Sequence, residues 1–385
     1  MNISFMRIAD YYIGIPICFI IGVMSRLIQY INPGLRREGS PKNILLIKTW
    51  GIGNIIMMLD SMRALRKNFP DARIGFVTLE NNRDILEQNP YIDYKLLIDV
   101  NSFYKFILST AGIILKMRSE GPDIVLDFDQ FSRYAAILAF FSGAESSIGF
   151  YTEGQGKHYL FTHPVVYNNH QHMSATFFDI VKRLGIQSNH SEITPVPLSG
   201  REKETAEKFF KENKITNEDF LIGMHVGCGG NFPERRWPKE RFAQLADVLI
   251  EKHHAKIILT GSPAEDPLVQ SVLRLMKNSA VNVCGRFNIR ELSAIISRCN
   301  LFFSCDTGPL HLATAMGVPV VGFFGPNTPI LYGPRGRSDT IFYKKQPCSP
   351  CITNYNAKRS DCKNPVCVLD ITVEEVYREV KEKYL

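Results

Sequence analysis

Tryptophan is nearly absent, with two in 385 residues, and no arginine-rich arm or zinc-finger spacing appears anywhere in the chain. The formal net charge of +7, from 45 Lys and Arg against 38 Asp and Glu, is therefore scattered. It points to a membrane surface or a nucleotide diphosphate as the anionic partner rather than to nucleic acid. No solenoid-type repeat and no long low-complexity segment is present, which excludes a repeat array or a disordered chain. A composition of 45% hydrophobic and 22% charged residues suits two globular domains with separate cores.

A long apolar run is also lacking. Residues 11–25 are uncharged and mostly apolar, but they fall short of the ~30 Å hydrocarbon core, and Pro16 is expected to kink or break a helix there. No basic start and no small-residue cleavage site accompany the run, so a cleaved signal peptide is not expected. Residues 1–40 read as a re-entrant or interfacial membrane-associating segment, assisted by Arg26, Arg36, Arg37 and Lys42. A simple spanning helix and a helix docked on its own protein are the alternatives.

Of nine cysteines, five are dispersed, as in a reducing compartment. The other four, Cys348, Cys351, Cys362 and Cys367, share a short loop rich in Pro, Asn and Lys. Four thiolates at this spacing suit a structural zinc. The loop has only one C-x-x-C pair, so disulfides or free thiols are the competing reading.

What is there is an alternation of apolar strands and helices. Residues 43–48, 73–78, 95–98 and 123–127 read as strands, with a helix pattern over 55–68 and another over 103–120. Their continuous apolar character implies a parallel sheet covered on both faces. A proline-bearing stretch at 193–198 reads as a linker. Beyond it the pattern resumes: a helix over 201–213, strands at 220–225, 256–260 and 301–304, and a later one at 318–324. The expected architecture is α/β with two Rossmann-like domains facing a cleft. Its parts are the segment 1–40, an N-terminal Rossmann-like domain at 41–195, a C-terminal Rossmann-like domain at 196–345, and a Cys-rich loop with a C-terminal helix at 346–385.

The chemistry-bearing loops follow strands, where ligands bind in such sheets. After 301–304 the chain reads Cys305-Asp306-Thr307-Gly308-Pro309-Leu310-His311 and enters a small-residue helix. Backbone N–H groups and the helix dipole there favour an anion, and Gly308 lets the backbone approach it. Asp306, Thr307 and His311 add an acceptor, a hydroxyl and an imidazole. The plainer reading makes Asp306 a helix cap and His311 a packed histidine. The loops carrying Gly51 and Gly53, His225 and Gly227, and Gly261 occupy the same position in the pattern.

Three stretches in this order are similar to the family 9 glycosyltransferases, the heptosyltransferases of lipopolysaccharide core assembly: Ile47-Lys48-Thr49-Trp50-Gly51-Ile52-Gly53-Asn54, Arg235-Arg236-Trp237-Pro238-x-x-Arg241-Phe242, and Asp306-Thr307-Gly308-Pro309-Leu310-His311. Phe324-Gly325-Pro326-Asn327 and Gly333-Pro334 continue the likeness, which covers roughly residues 43–336.

The resemblance implies a GT-B fold and metal-independent inverting transfer from an ADP-activated heptose. The acceptor it implies is lipopolysaccharide core or another lipid-linked saccharide, at the cytoplasmic face of the inner membrane, with a peripheral or monotopic enzyme. It places Asp306, Thr307, Gly308, Pro309 and His311 at the donor's diphosphate and sugar. Arg235 would neutralise charge on departing ADP, with Arg236 at the substrate; an ordinary solvated surface pair is the competing reading. Gly261 and Glu265 would lie near the ribose, and Phe287 near the adenine or in the core.

One residue departs from the family pattern. The first loop usually ends Gly-Asp, the aspartate acting as general base; here it is Gly53-Asn54. An amide has no carboxylate to take up the acceptor's proton. Asn54 is left to orient the acceptor, with Asp60, Asp127 and Asp129 as candidate bases. A non-catalytic nucleotide-sugar or glycolipid binding partner is the second reading. A sugar-nucleotide epimerase or hydrolase that works without acceptor is the third.

Overall fold

A computed structural model describes residues 10–31, 40–187, 193–229, 232–336, 338–353, 355 and 360–385. Arg36 and Arg37 lie outside the described residues, as does the Arg26 side chain. The chain divides into two compact units, residues 1–192 and 193–385.

The first unit contains α1 (Gly14–Ile31), β1 (Asn43–Ile47), α2 (Ile52–Met57), α3 (Leu59–Asn68), β2 (Arg73–Leu79), β3 (Tyr94–Ile98), α4 (Phe103–Glu120), β4 (Ile124–Asp127), α5 (Arg133–Phe141), β5 (Ser146–Tyr151), β6 (His163–Val166) and α6 (Met173–Lys182). A 3₁₀ turn at Lys157–Leu160 joins β5 to β6. The sheet order is β3-β2-β1-β4-β5-β6, all parallel.

The second unit contains α7 (Gly200–Glu212), β7 (Leu221–His225), α8 (Lys239–His253), β8 (Lys256–Thr260), α9 (Asp266–Leu275), β9 (Val281–Asn282), α10 (Ile289–Ile296), β10 (Leu301–Cys305), α11 (Gly308–Ala315), β11 (Val320–Phe324), α12 (Pro329–Tyr332), β12 (Thr340–Tyr343), α13 (Val366–Leu369) and α14 (Val373–Tyr384). Its order, β12-β11-β10-β7-β8-β9, is again all parallel. Each sheet therefore reverses direction once, between β1 and β4 and between β7 and β10, and such a switch point opens a crevice at the carboxyl ends of the strands. The central strands β4, β7, β10 and β11 are buried along their whole length. Helices on both faces remove them from water, which is why their sequences do not alternate.

One expectation about the N-terminal run changes. Pro16 does not break α1, because the helix starts at Gly14 and Pro16 falls in its first turn, where a missing N–H costs no hydrogen bond. Gly14, Cys18 and Gly22, spaced by four, form a buried stripe against the first unit. Among the described residues no helix is long and apolar enough to cross a membrane. The helix pattern expected over 55–68 is divided at Met58 into α2 and α3.

In the second unit Trp237, fully buried, stacks on Phe323 with ring centroids 4.4 Å apart, and its Nε1 donates to the Ile371 carbonyl at 2.9 Å. Val368, Ile371, Val376 and Val380 belong to the same core, so the end of the chain completes this unit. At its other side Glu202 closes a capping box on α7 with Ser199 and accepts from Arg290 Nε at 2.7 Å. Burial alone would raise the Glu202 pKa; the Arg290 and Ser199 bonds bring it instead from 4.5 to about 2. A carboxyl whose folded pKa is depressed stabilises the fold above its unfolded value, and that stability is lost as pH falls toward the folded one. Glu202→Gln is expected to cost about 2–3 kcal/mol at pH 7 in denaturant titrations, and the difference from the parent should shrink between pH 4.5 and 2.

Candidate active site

In the second unit a group of polar residues is built around the ends of β7, β8, β10 and β11. The basic turn Pro233–Arg235 is fixed from below: Trp237 is locked in the core, and its backbone N–H donates to Cys305 Sγ at 3.3 Å. That anchor sets Arg235 beside the residue that follows β10. Arg235 Nη1 lies 3.2 Å from both the Asp306 carbonyl and Asp306 Oδ2. Asn327 Nδ2, just past β11, donates to the same Oδ2 at 2.7 Å. Arg235 Nε and Nη2, and Arg236 Nε, are buried with no hydrogen-bond partner among the described residues. A guanidinium has five donors, and leaving them unpaired in a buried place is costly unless an anion arrives. Gly230 and Asn231, in the adjoining loop, lie outside the described residues.

Helix α11 starts within this group. Its N-cap is Thr307, not Asp306, and no side chain caps it. The Thr307 hydroxyl turns back to the Cys305 carbonyl at 3.3 Å and to Ser304 Oγ at 3.1 Å. The uncapped first turn keeps its N–H groups and the positive end of its dipole for an anion. Gly308 and Pro309 occupy that turn, and His311 is buried one turn on with its ring 6.5 Å from that of Tyr332.

A second group forms after β7 and β8. Glu265 Oε1 accepts from Gly229 N at 2.8 Å, and Oε2 accepts from Ser262 N and Oγ, each at 2.8 Å. A Cβ at Gly227 would lie 1.9 Å from Glu265 Oε1, so a side chain there would push the carboxylate off its bonds to Gly229 and Ser262. Burial lowers the His225 pKa although the Glu265 carboxylate 4.0 Å away pulls the other way, so the imidazole is neutral. Its Nδ1 faces Thr260 Oγ1 at 3.0 Å. Burial would raise Glu265, but the His225 imidazole whenever it is protonated, and the Ser262 and Gly229 N–H groups, hold it below the usual range. The group offers a carboxylate and hydroxyls, the partners a ribose needs. Gly261 packs beside Glu265 and Cys284. Phe287 meets the Phe209 ring of α7 at 5.5 Å, edge to face, which is a packing contact.

The first unit holds the other loop. Gly51 adopts φ 88°, and Asn54, in the first turn of α2, sends its Nδ2 back toward the Trp50 carbonyl at 3.4 Å. Gly53 precedes it in that turn. The loop rests on a buried ionic network. Lys48 Nζ pairs with Asp129 Oδ1 at 2.6 Å, and Thr49 gives both its N–H, at 2.7 Å, and its hydroxyl to Asp129 Oδ2. Asp127 Oδ1 accepts from Asp129 N at 2.8 Å, while its Oδ2 pairs with Lys157 Nζ at 3.2 Å. Lys157 also donates to the Asp129 carbonyl. Both carboxylates are buried and bonded within the unit. Asp60 is buried in the first turn of α3, where a carboxylate suits the helix dipole.

Of the readings of the cysteine loop, free thiols are the one the described residues match. Among the described residues no group of three or more His, Cys, Asp or Glu is placed to hold a metal ion. Cys348, Cys351, Cys362 and Cys367 are free thiols: Cys367 is buried under Gly325, Cys351 lies 3.5 Å from Ser360 Oγ, and Cys348 and Cys362 are exposed. A closed four-sulfur site needs all four sulfurs about 2.3 Å from one point.

Residues 113–360 match the family model of glycosyltransferase family 9 (heptosyltransferase). The chain belongs to this family. Among curated relatives of this glycosyltransferase, the lipopolysaccharide core heptosyltransferase OpsX of Haemophilus influenzae is 23% identical over 309 residues, 78% of this chain and 84% of that protein. A lipooligosaccharide heptosyltransferase 2 of Campylobacter jejuni is 24% identical over 349 residues, 88% and 97% of the two chains. A family 9 glycosyltransferase from Veillonella parvula superposes with a TM-score of 0.75 at 25% identity, covering 89% of this chain and 97% of that one. The Escherichia coli heptosyltransferase WaaC with ADP shares the fold, with a TM-score of 0.67 at 16% identity over 89% and 99%.

Lys48, Thr49, Lys157 and Asn327 were not singled out as site residues from sequence. Lys48, Thr49 and Asn327 stand inside the family-like stretches; Lys157 has no sequence signal, being 28 residues from the carbonyl it bonds.

Proposed function

We propose that this family 9 glycosyltransferase moves a heptose from ADP-heptose onto a lipopolysaccharide core or related lipid-linked saccharide, with inversion and without a metal, at the cytoplasmic face of the inner membrane. The observation that carries the reading is Arg235, whose Nε and Nη2, buried and without a partner among the described residues, stand beside the uncapped start of α11. In the transfer the acceptor oxygen attacks the anomeric carbon and the bond to the β-phosphate oxygen breaks. The electron pair leaves with ADP, and the acceptor's proton passes to a base. Negative charge thus grows on the diphosphate in the transition state, where Arg235 and the α11 N–H groups act. Asp306, held by Arg235 and Asn327, fixes the guanidinium for that task. Thr307, Gly308, Pro309 and His311 complete the diphosphate and sugar site, and Glu265, His225, Gly227 and Gly261 the ribose site. Arg236 adds positive charge.

On the acceptor side the loop Gly51–Gly53 and Asn54 orient the hydroxyl. Asp127 and Asp129 hold that loop up, which leaves Asp60 as the candidate base. Asn54→Ala is expected to lower turnover about tenfold, the scale of one lost hydrogen bond. Asn54→Asp raising turnover by 10²-fold or more would instead mark a base lost from this chain and favour the binding-partner reading. The whole reading is tested by the mass of a heptose-deficient core after incubation with ADP-heptose: one added heptosyl residue supports it, and no addition with ADP-heptose but addition from a UDP- or GDP-sugar overturns the donor assignment.

A further inference from the structure

The first unit carries apolar side chains on two neighbouring helices that face outward. On α1 the stripe opposite Gly14, Cys18 and Gly22 consists of Ile15, Phe19, Ile20 and Val23, with Phe19 65% exposed. The buried stripe keeps α1 against its own unit: Gly14 abuts the Arg133 side chain and Gly22 abuts Tyr159, each near 3 Å from where a Cβ would sit (3.0 and 2.8 Å). A helix held along its length in this way lies flat rather than inserting end-on. On α4, Ile113 and Met117 face the core, while Phe103, Tyr104, Ile107, Leu108 and Leu115 are exposed, Leu115 by 70%.

Both helices border α5. Its Tyr134 donates from its N–H to Asp10 Oδ1, just before α1, at 2.9 Å. The same residue packs its ring on Phe106 of α4 at 5.1 Å and shares a hydrogen bond with Thr110 at 2.8 Å. The two outward stripes therefore belong to one side of the unit.

The net charge of these two helices is positive. Residues 11–25 carry none, and the exposed charges of α4 before Glu120 are Lys105, Lys116 and Arg118. Glu120 itself pairs with Arg73, and Lys105 has Asp99 at 3.9 Å. An isologous contact between two copies would set these cations against each other, and the one carboxylate of α4, Glu120, is already paired with Arg73. Anionic headgroups would neutralise them while the aromatic and aliphatic side chains enter the interfacial layer.

We propose that the α1–α4 side of the first unit docks on an anionic phospholipid bilayer, with α1 and α4 lying in its plane. The inference rests on the lipid-linked acceptor proposed above for the reason a bilayer is met, but its test needs no sugar substrate.

The test is flotation of the full chain with vesicles of phosphatidylethanolamine and phosphatidylglycerol, and with phosphatidylcholine vesicles in parallel. The chain is expected to float with the first and to bind the second at least about tenfold more weakly. Leu108→Asp with Leu115→Asp, confined to α4, is expected to lower binding to the anionic vesicles about tenfold or more, with far-UV circular dichroism unchanged. The same variant should release ADP at the parent rate when the acceptor is a delipidated, water-soluble core oligosaccharide. Equal binding by parent and α4 variant overturns the proposal. So does a dimer of the parent in light scattering that the α4 variant converts to monomer, which would make this side a self-interface. Flotation without any transfer activity would count against the function proposed above and leave the docking surface standing.

Discussion

Arg235→Met is expected to lower acceptor-dependent ADP release by about 10²–10³-fold in kcat/KM, the loss seen when one preorganised donor to a developing charge is removed. The size follows from where the guanidinium sits. It is anchored by Asp306 at 3.2 Å, and Asp306 is held in turn by Asn327 at 2.7 Å. Nε and Nη2, which have no partner among the described residues, are therefore fixed before substrate arrives, and no reorganisation is needed when the ADP bond breaks. Methionine keeps an unbranched aliphatic stem and removes the guanidinium, which lies 4.3 Å over the Phe232 ring. Arg235→Lys should fall between the two, since a point charge replaces a planar set of donors. Steady-state kinetics at saturating acceptor would decide it, and a Met variant within threefold of the parent would remove Arg235 from the proposed mechanism.

Lys157→Met should destabilise the first unit by about 3–5 kcal/mol, the usual cost of stripping one partner from a buried ion pair. Lys157 and Asp127 are both fully buried. Burial raises the Asp127 carboxyl to about 6 even with the Lys157 ammonium lowering it. A raised carboxyl pKa makes its contribution to stability complete below the unfolded value near 3.8 and lost as pH rises through about 6. Without Lys157 the unit should therefore be weakest at neutral pH and recover on acidification toward pH 4. The two tryptophans fall one in each unit, so Trp50 fluorescence in denaturant follows the first unit. Asp127→Asn combined with Lys157→Met should regain most of the loss, because no uncompensated charge stays buried. A single-variant loss under 1 kcal/mol would mean that the network under the Asn54 loop does not hold the fold.

Much of this molecule was legible from the chain because its central strands are buried on both faces and so appear as continuous apolar runs. Residues 43–47, 221–225 and 301–305 are such runs, and the loops that follow them carry the site residues. Pro16 misled because its effect depends on register: three residues into a helix it is tolerated, and only the true start at Gly14 decides this. The pairing of Lys157 with Asp127 spans 30 residues and passes through a 3₁₀ turn, where no period exists to read. The outward apolar face of α4 is hidden for a different reason. A helix between two strands of a parallel sheet is expected to bury its apolar residues, and α4 carries more of them than its core-facing side can take. The cysteine spacing suggested a metal cage, yet Cys367 is drawn into the core beneath Gly325 while its nearest sequence neighbours in the set stay outside.

The most direct test of the central claim is ADP release by the purified chain from ADP-heptose, measured with and without heptose-deficient lipopolysaccharide core. Release that depends on the acceptor, and that ADP-heptose supports better than UDP- or GDP-sugars, is the predicted result. Release that proceeds equally without acceptor, or no release from any donor despite measurable ADP binding, would contradict the account.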